Sequence, residues 1–282
     1  MQRAGAFGCL SLLLVLCTTG SAIAQERDSA LALGDSVAFG YITGAGHEYV
    51  DASNFIGSSQ YVGEALHLHI TNASCPGEAT SSFLSLTGAD HGCRAYRGKF
   101  PLHVAYDSTQ LAYAERFVRG HSDLRLVTVG LGANDLFILQ DTCATNESPS
   151  DCIAAGLPSV LSTVGANMAT ILSALRASGY GGVIVVVNYY SSDYSDPTTT
   201  AIIGLLNEAV AAPAHAYGAV VADVFTTFKN AASSAVIGGQ VCKVGLLNVD
   251  PSNQDLCDVH PSQAGQRLIA RSVLEAYRAA TR

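Results

Sequence analysis

Apolar runs and polar breaks alternate along the chain in a repeating order. Residues 31–33 form a short apolar run that stops at Gly34-Asp35-Ser36, and residues 124–129 end in the same way at Gly130-Leu131-Gly132. Residues 183–187 are all valine or isoleucine, and residues 219–224 are nearly all small or apolar. Such continuous runs suit strands covered on both faces. Between them, apolar positions recur at helical spacing over residues 61–66, 110–118, 157–177, 199–216 and 262–280. Gly179, Gly181 and Gly182 stop the third of these helices, and Pro213 marks a kink or stop in the fourth. Residues 68–72 read as a short extended piece. The Gly/Tyr/Ser-rich stretch 39–59 has little periodicity, and the polar segment through Cys75, Cys93 and Arg97 reads as a long loop held by a disulfide.

Strand and helix therefore take turns, and the strands are apolar. That order predicts an α/β protein, a three-layer sandwich with a mostly parallel central sheet and helices on both faces. In such sheets ligands gather outside the carboxyl ends of the strands. Ser36, Asn134 and Asn188 each follow a predicted strand at that end.

The first residues change where the folded chain is expected to begin. Arg3, an apolar run over residues 4–17 and the exit Ser21-Ala22-Ile23-Ala24 have the form of a secretory signal peptide, with Gln25 as the first mature residue. The apolar run is short for a membrane span, and no second long one stands out. Residues 25–282 are expected to form a single domain with a full core. The chain carries 15 Lys+Arg and 23 Asp+Glu, a net charge of −8, which argues against nucleic acid and anionic membranes as partners. The protein is expected to be a secreted monomer.

Six cysteines follow the leader: Cys75, Cys93, Cys143, Cys152, Cys242 and Cys257. In an oxidising compartment they are expected to pair with their sequence neighbours, as Cys75–Cys93, Cys143–Cys152 and Cys242–Cys257, because each pair closes a short loop. Clustered metal-ligand spacing is absent, so no zinc site is expected. Asn72-Ala73-Ser74 and Asn146-Glu147-Ser148 match the glycosylation pattern.

Ser36 is the candidate nucleophile, since a serine at a Gly-assisted strand end holds its hydroxyl out into a cleft. It needs a base. Seven of the eight histidines, His91 among them, read as ordinary loop, boundary or helix-end residues. His260 differs, because Pro261 and the helix cap Ser262 make a rigid mount for an imidazole. Asn134, after Gly132-Ala133, is either a turn cap or an amide aimed at a developing oxyanion. Gly77 and Ser36 offer backbone N–H groups for the same purpose. Tyr41, Tyr49, Phe55, Phe137, Tyr189 and Tyr190 fall near the strand ends, with Tyr41 and Tyr189 taken as substrate-binding candidates.

Four blocks in this order resemble those of the SGNH (GDSL) hydrolases: Gly34-Asp35-Ser36, Cys75-Pro76-Gly77-Glu78-Ala79-Thr80, Gly132-Ala133-Asn134-Asp135 and Asp258-Val259-His260-Pro261. The resemblance covers nearly all of the chain after the leader, and the disulfides match a secreted, disulfide-bearing esterase/lipase branch. It implies a flavodoxin-like fold and a serine ester hydrolase with no metal and no cofactor. Ser36 would be the nucleophile and His260 the base, with Ser36, Gly77 and Asn134 forming the oxyanion hole. One position departs from the family pattern. Three residues before the histidine, where an aspartate is usual, stands Cys257, and the acid is Asp258. The displacement leaves Asp258 doubtful as a third catalytic member and favours a Ser–His dyad, although residues two apart in extended chain share a side. The substrate class implied is a small-molecule or lipid ester. A carbohydrate acetyl esterase or acyltransferase on the same residues, and a non-catalytic binding protein of the same fold, remain as alternatives.

Overall fold

The computed structural model describes Met1, residues 28–234 and residues 236–282. The expected leader and its cleavage site lie outside the described residues. In chain order the elements are β1 (Ser29–Gly34), α1 (Ser36–Phe39), α2 (Ser58–Leu66), β2 (His69–Asn72), α3 (Thr80–Leu84), α4 (Cys93–Arg97), α5 (Gln110–Gly120), β3 (Leu124–Gly130), α6 (Ala133–Cys143), α7 (Pro149–Ala177), β4 (Val183–Val187), α8 (Pro197–Ala211), β5 (Ala219–Ala222), α9 (Val224–Ala231), β6 (Leu247–Asp250), β7 (Asn253–Pro261) and α10 (Gln263–Ala280).

The first five strands make one parallel sheet in the order β2-β1-β3-β4-β5. Their side chains alternate between two cores. Leu31, Leu33, Val127, Val129, Ile184 and Val186 face a core closed by α5, α7 and α8. Ala30, Leu126 and Val185 face the other, closed by α2, α9 and α10. Period-two alternation with both faces apolar explains why each strand reads as an unbroken hydrophobic run. The result is the expected three-layer, flavodoxin-like α/β/α arrangement. The order in which strands are added reverses between β1 and β3, which opens a crevice at their carboxyl ends.

Several elements differ from the sequence reading. The segment 75–97 is not a plain loop but carries the short helices α3 and α4. Helix α7 begins eight residues early, because Pro149 sits in its first turn and Cys152 is bonded to Cys143 at the end of α6. It is long and apolar enough to cross a bilayer, although the sequence reading singled out no such run. In the fold its Val164, Met168, Ile171, Leu172 and Leu175 are buried against the sheet. Helix α8 ends at Ala211, ahead of Pro213. Asp223, read as strand, instead caps α9 through its side chain.

The antiparallel pair β6–β7 was not expected. Its burial pattern is mostly exposed, so it lacks the apolar signal by which strands are recognised. It carries His260 to the carboxyl edge of the sheet. All three neighbouring cysteine pairs are disulfides: Cys75–Cys93, Cys143–Cys152 and Cys242–Cys257. Asn72 is buried, donates to the Ala38 carbonyl and accepts from the Ser74 N–H, so the first glycosylation match is closed to a glycan. Asn146 is exposed.

Candidate active site

The turn after β1 requires glycine. Gly34 has φ +148°, and a Cβ there would lie 2.4 Å from the Gly130 carbonyl oxygen on the neighbouring strand. The chain then enters α1, whose cap is the Asp35 side chain, accepting from the Val37 N–H at 2.9 Å. Ser36 is therefore the first residue of a capped helix at the mouth of the sheet. Its Oγ lies 3.0 Å from His260 Nε2.

Strand β7 places the other half of this pair. In extended chain, residues 258 and 260 project to one side and Cys257 to the other. The Cys257–Cys242 disulfide pins that opposite side. Asp258 Oδ2 consequently meets His260 Nδ1 at 2.6 Å, a contact that the dyad reading did not expect. The carboxylate also accepts from the Thr43 hydroxyl at 2.7 Å and from the Val259 N–H at 2.7 Å. Burial alone would raise the Asp258 pKa. The hydrogen bond and charge of His260, with Thr43 and Val259, outweigh it and hold the carboxyl below its usual range. The Nδ1–H thus donates to Asp258, which leaves the Nε2 lone pair for the Ser36 hydroxyl. Tyr190 Oη donates to the Val259 carbonyl at 2.5 Å and steadies the strand from behind. Tyr41 packs edge-on against the imidazole, with centroids 4.9 Å apart.

The three residues that carry the candidate donors line one cleft. Gly77 has φ +84°, and a Cβ would fall 2.6 Å from the His91 carbonyl oxygen, so only glycine fits that close approach. Among the described residues, neither the Ser36 N–H nor the Gly77 N–H donates to any acceptor. Asn134, in the first turn of α6, is 4 % exposed, and its amide nitrogen donates to the Glu78 carbonyl at 3.0 Å. Ser36, Gly77, Asn134 and His260 all line one cleft of about 510 Å³, together with Tyr41, Tyr96 and Phe100. A second cleft of about 290 Å³ also reaches Ser36 and His260 and is walled by Leu136, Ile202, Ile203 and Tyr189. Phe137 borders both. Of the aromatics singled out earlier, Phe55 is fully buried in a cluster with Phe39 and Tyr96, with Tyr49 stacked on it behind Tyr41.

Tyr189 lines the second cleft, but its hydroxyl is directed inward and donates to Asp35. Burial pushes the Asp35 carboxyl up to about 6, against the bonds from Tyr189 and Val37 and the charge of His260.

Two further supports escaped the sequence reading. Gln110 is fully buried, and its side chain accepts from the Gly34 N–H at 2.6 Å while donating to the Gly34 carbonyl and to Glu78, each at 3.0 Å. It clamps the end of β1 to the Gly77 loop. Glu78 also accepts from Ser82 Oγ at 2.5 Å, and Asp135 joins α6 to α3 through the Thr80 hydroxyl at 2.7 Å. Thr43 and Gln110 sit in segments without a motif, so only proximity reveals them. Cys75, Cys93 and Glu78 lie within metal-ligand distance of one another, but both sulfurs are in the disulfide and Glu78 is hydrogen-bonded, which leaves no thiolate to bind an ion.

Burial pushes the Glu78 carboxyl up to about 7, despite its bonds from Ser82 and Gln110. A carboxyl raised above its unfolded value binds more protons when folded, so its contribution to stability is present at low pH and is lost as pH rises through about 7. Glu78→Gln is therefore expected to flatten the fall in stability between pH 5 and 8, by on the order of 2 kcal/mol across that window. Urea unfolding of both proteins at several pH values tests this, and parallel curves would contradict it.

Solved structures share this architecture at low sequence identity. A lipase from a goat rumen metagenome is 17 % identical over 89 % of this chain and 96 % of its own, with a TM-score of 0.57. Phospholipase A1 from Streptomyces albidoflavus NA297 is 20 % identical over 89 % of this chain and 99 % of its own, also with a TM-score of 0.57. The acetylxylan esterase Axe2 from Geobacillus stearothermophilus is 15 % identical over 89 % and 94 %, with a TM-score of 0.53. No curated protein matches the sequence. Residues 32–268 match the model of the GDSL-like lipase/acylhydrolase family, a span that takes in Ser36, Gly77, Asn134 and His260 together, and the chain belongs to that family.

Proposed function

We propose that this protein is a secreted carboxylic-ester hydrolase that works through an acyl-enzyme on Ser36. The observation that carries the reading is the 3.0 Å approach of Ser36 Oγ to His260 Nε2 in a cleft that Gly77 and Asn134 also line. A serine hydroxyl is a weak nucleophile until a base takes its proton. His260 Nε2 accepts that proton as Oγ attacks the ester carbonyl carbon. The carbonyl oxygen becomes an oxyanion held by the N–H groups of Ser36 and Gly77 and the Asn134 amide. Collapse of the tetrahedral intermediate breaks the bond to the alcohol, which leaves with the proton from His260. Water, deprotonated by His260, then attacks the acyl-Ser36 ester and releases the acid. Asp258 keeps the proton on Nδ1 and offsets the positive charge on the imidazolium. Three disulfides agree with an oxidising, extracellular setting.

The two clefts that meet at Ser36 suit an ester whose acyl and alcohol parts lie in different clefts. The Leu136–Ile202–Ile203 wall favours an aliphatic portion in the smaller one. An acetylated carbohydrate is the second reading, supported by the fold shared with an acetylxylan esterase and by the larger cleft. An ester panel running from acetyl to palmitoyl, with acetylated xylan included, separates them. Preference for longer acyl chains supports the first, and a preference confined to acetylated sugar supports the second.

Asn134→Ala is expected to lower turnover roughly 10²–10³-fold with little change in KM, because an oxyanion donor acts where charge develops. A variant that loses stability but keeps its turnover would reduce Asn134 to a turn cap.

A further inference from the structure

His91 reads in sequence as a loop histidine, yet its ring lies along one face of α6. Its Nδ1 is 3.2 Å from Asn134 Oδ1, its plane packs on Phe137 with centroids 5.4 Å apart, and its Nε2 is 3.1 Å from Asp141 Oδ2. Residues 134, 137 and 141 are spaced so that one side of a helix presents all three. The backbone of the same residue reaches the other arm of the oxyanion hole: the His91 N–H donates to the Gly77 carbonyl at 2.9 Å. The Cys75–Cys93 disulfide closes the loop around this contact.

We propose that His91 is a positioning residue that braces the oxyanion hole, locking the Asn134 amide in its donor-inward orientation and tying it to Gly77. The inference rests on the reading of Asn134 as an oxyanion donor. An asparagine amide turns about a broad, nearly two-fold torsion, so something must decide which end faces the cleft. The Asn134 nitrogen lies 3.0 Å from the Glu78 carbonyl and 3.4 Å from Asp35 Oδ2, both acceptors, so the amide oxygen faces His91. His91 Nδ1–H donates to that oxygen. Asp141 Oδ2, 3.1 Å from Nε2, holds the far edge of the ring in place. A flipped amide would set NH₂ against N–H and oxygen against oxygen. Catalysis by hydrogen-bond donors depends on their being aimed before the charge appears, so the brace acts on turnover rather than on substrate binding.

A double-mutant cycle between His91→Leu and Asn134→Ala tests this, with kcat and KM measured on a short acyl ester and thermal unfolding followed alongside. His91→Leu is expected to lower kcat about tenfold with KM little changed, a fraction of the effect of deleting a donor outright. His91→Gln, whose side-chain N–H can donate to Asn134, is expected to restore most of the loss, and Asp141→Asn to lose only a few-fold. The double variant is expected to be no slower than Asn134→Ala alone. If the two losses multiply, or if the effect of His91→Leu falls on KM, His91 does not act through Asn134 and the proposal is overturned while the oxyanion reading stands. Full turnover in Asn134→Ala alone would overturn both. Should His91→Leu fail to fold, Asp141→Asn, with a side chain 71 % exposed, carries the same cycle. Its loss must then vanish in the Asn134→Ala background.

Discussion

Ser36→Ala is expected to abolish ester hydrolysis, with turnover falling on the order of 10⁶-fold, while the protein remains folded. The effect is large because, among the described residues, Ser36 alone carries a hydroxyl at the junction of both clefts, on the Nε2 side of His260. The fold is expected to survive because the Ser36 side chain carries no structural bond. Asp35 caps α1, and among the described residues the Ser36 hydroxyl bonds only the imidazole. Removing it leaves the bonds of Gln110 to Gly34 and of Tyr189 to Asp35 in place. Turnover on a short acyl ester, near-UV circular dichroism and labelling by a serine-directed phosphonate measure the three parts of this expectation. More than a tenth of wild-type turnover in the variant would sink the assignment of Ser36 as nucleophile.

Asp258→Ala is expected to cost on the order of 10⁴ in turnover, the loss seen when the carboxylate behind a catalytic imidazole is removed. The displaced sequence position favoured a dyad and a much smaller loss. The geometry argues for the larger one. Asp258 Oδ2 is 2.6 Å from Nδ1, the carboxyl is held below its usual range by that contact, and both side chains are mostly shielded from solvent, at 14 % and 13 % exposure for His260 and Asp258. A charged partner in a shielded site stabilises an imidazolium more than a neutral group would. The variant also frees the Nδ1 proton to move to Nε2, which removes the lone pair that Ser36 needs. Turnover is to be followed across pH with folding checked separately. A loss below tenfold in a folded variant would return the site to a dyad, with the Thr43 hydroxyl, 3.2 Å from Nδ1, left to orient the ring.

Much of the fold was legible because the sheet is parallel and covered on both faces. Residues 183–187 read as a strand from their valines and isoleucine alone, and β4 occupies those positions. The elements that escaped are those whose signal lies elsewhere. β6 and β7 form an exposed pair without an apolar stripe, and α9 starts at an aspartate cap that looks like the end of a strand. The helices in segment 75–97 are too short for helical periodicity to register.

Local pattern along the chain was enough for the five strands of the parallel sheet, for α2, α5, α7, α8 and α10, for the neighbouring disulfide pairs and for the residue types at the four blocks, because each depends on local spacing or on short loops. What it left undecided depended on where distant segments meet. Asp258 reaches His260 because β7 is extended and Cys257 is pinned on its opposite side. Thr43, Gln110 and His91 join the site across 215, 76 and 43 residues of chain to Asp258, Gly34 and Asn134 respectively. No pattern along a chain records such distances. They are set by packing two helical layers against one twisted sheet, and only the tertiary structure fixes which side chains then fall within hydrogen-bond reach.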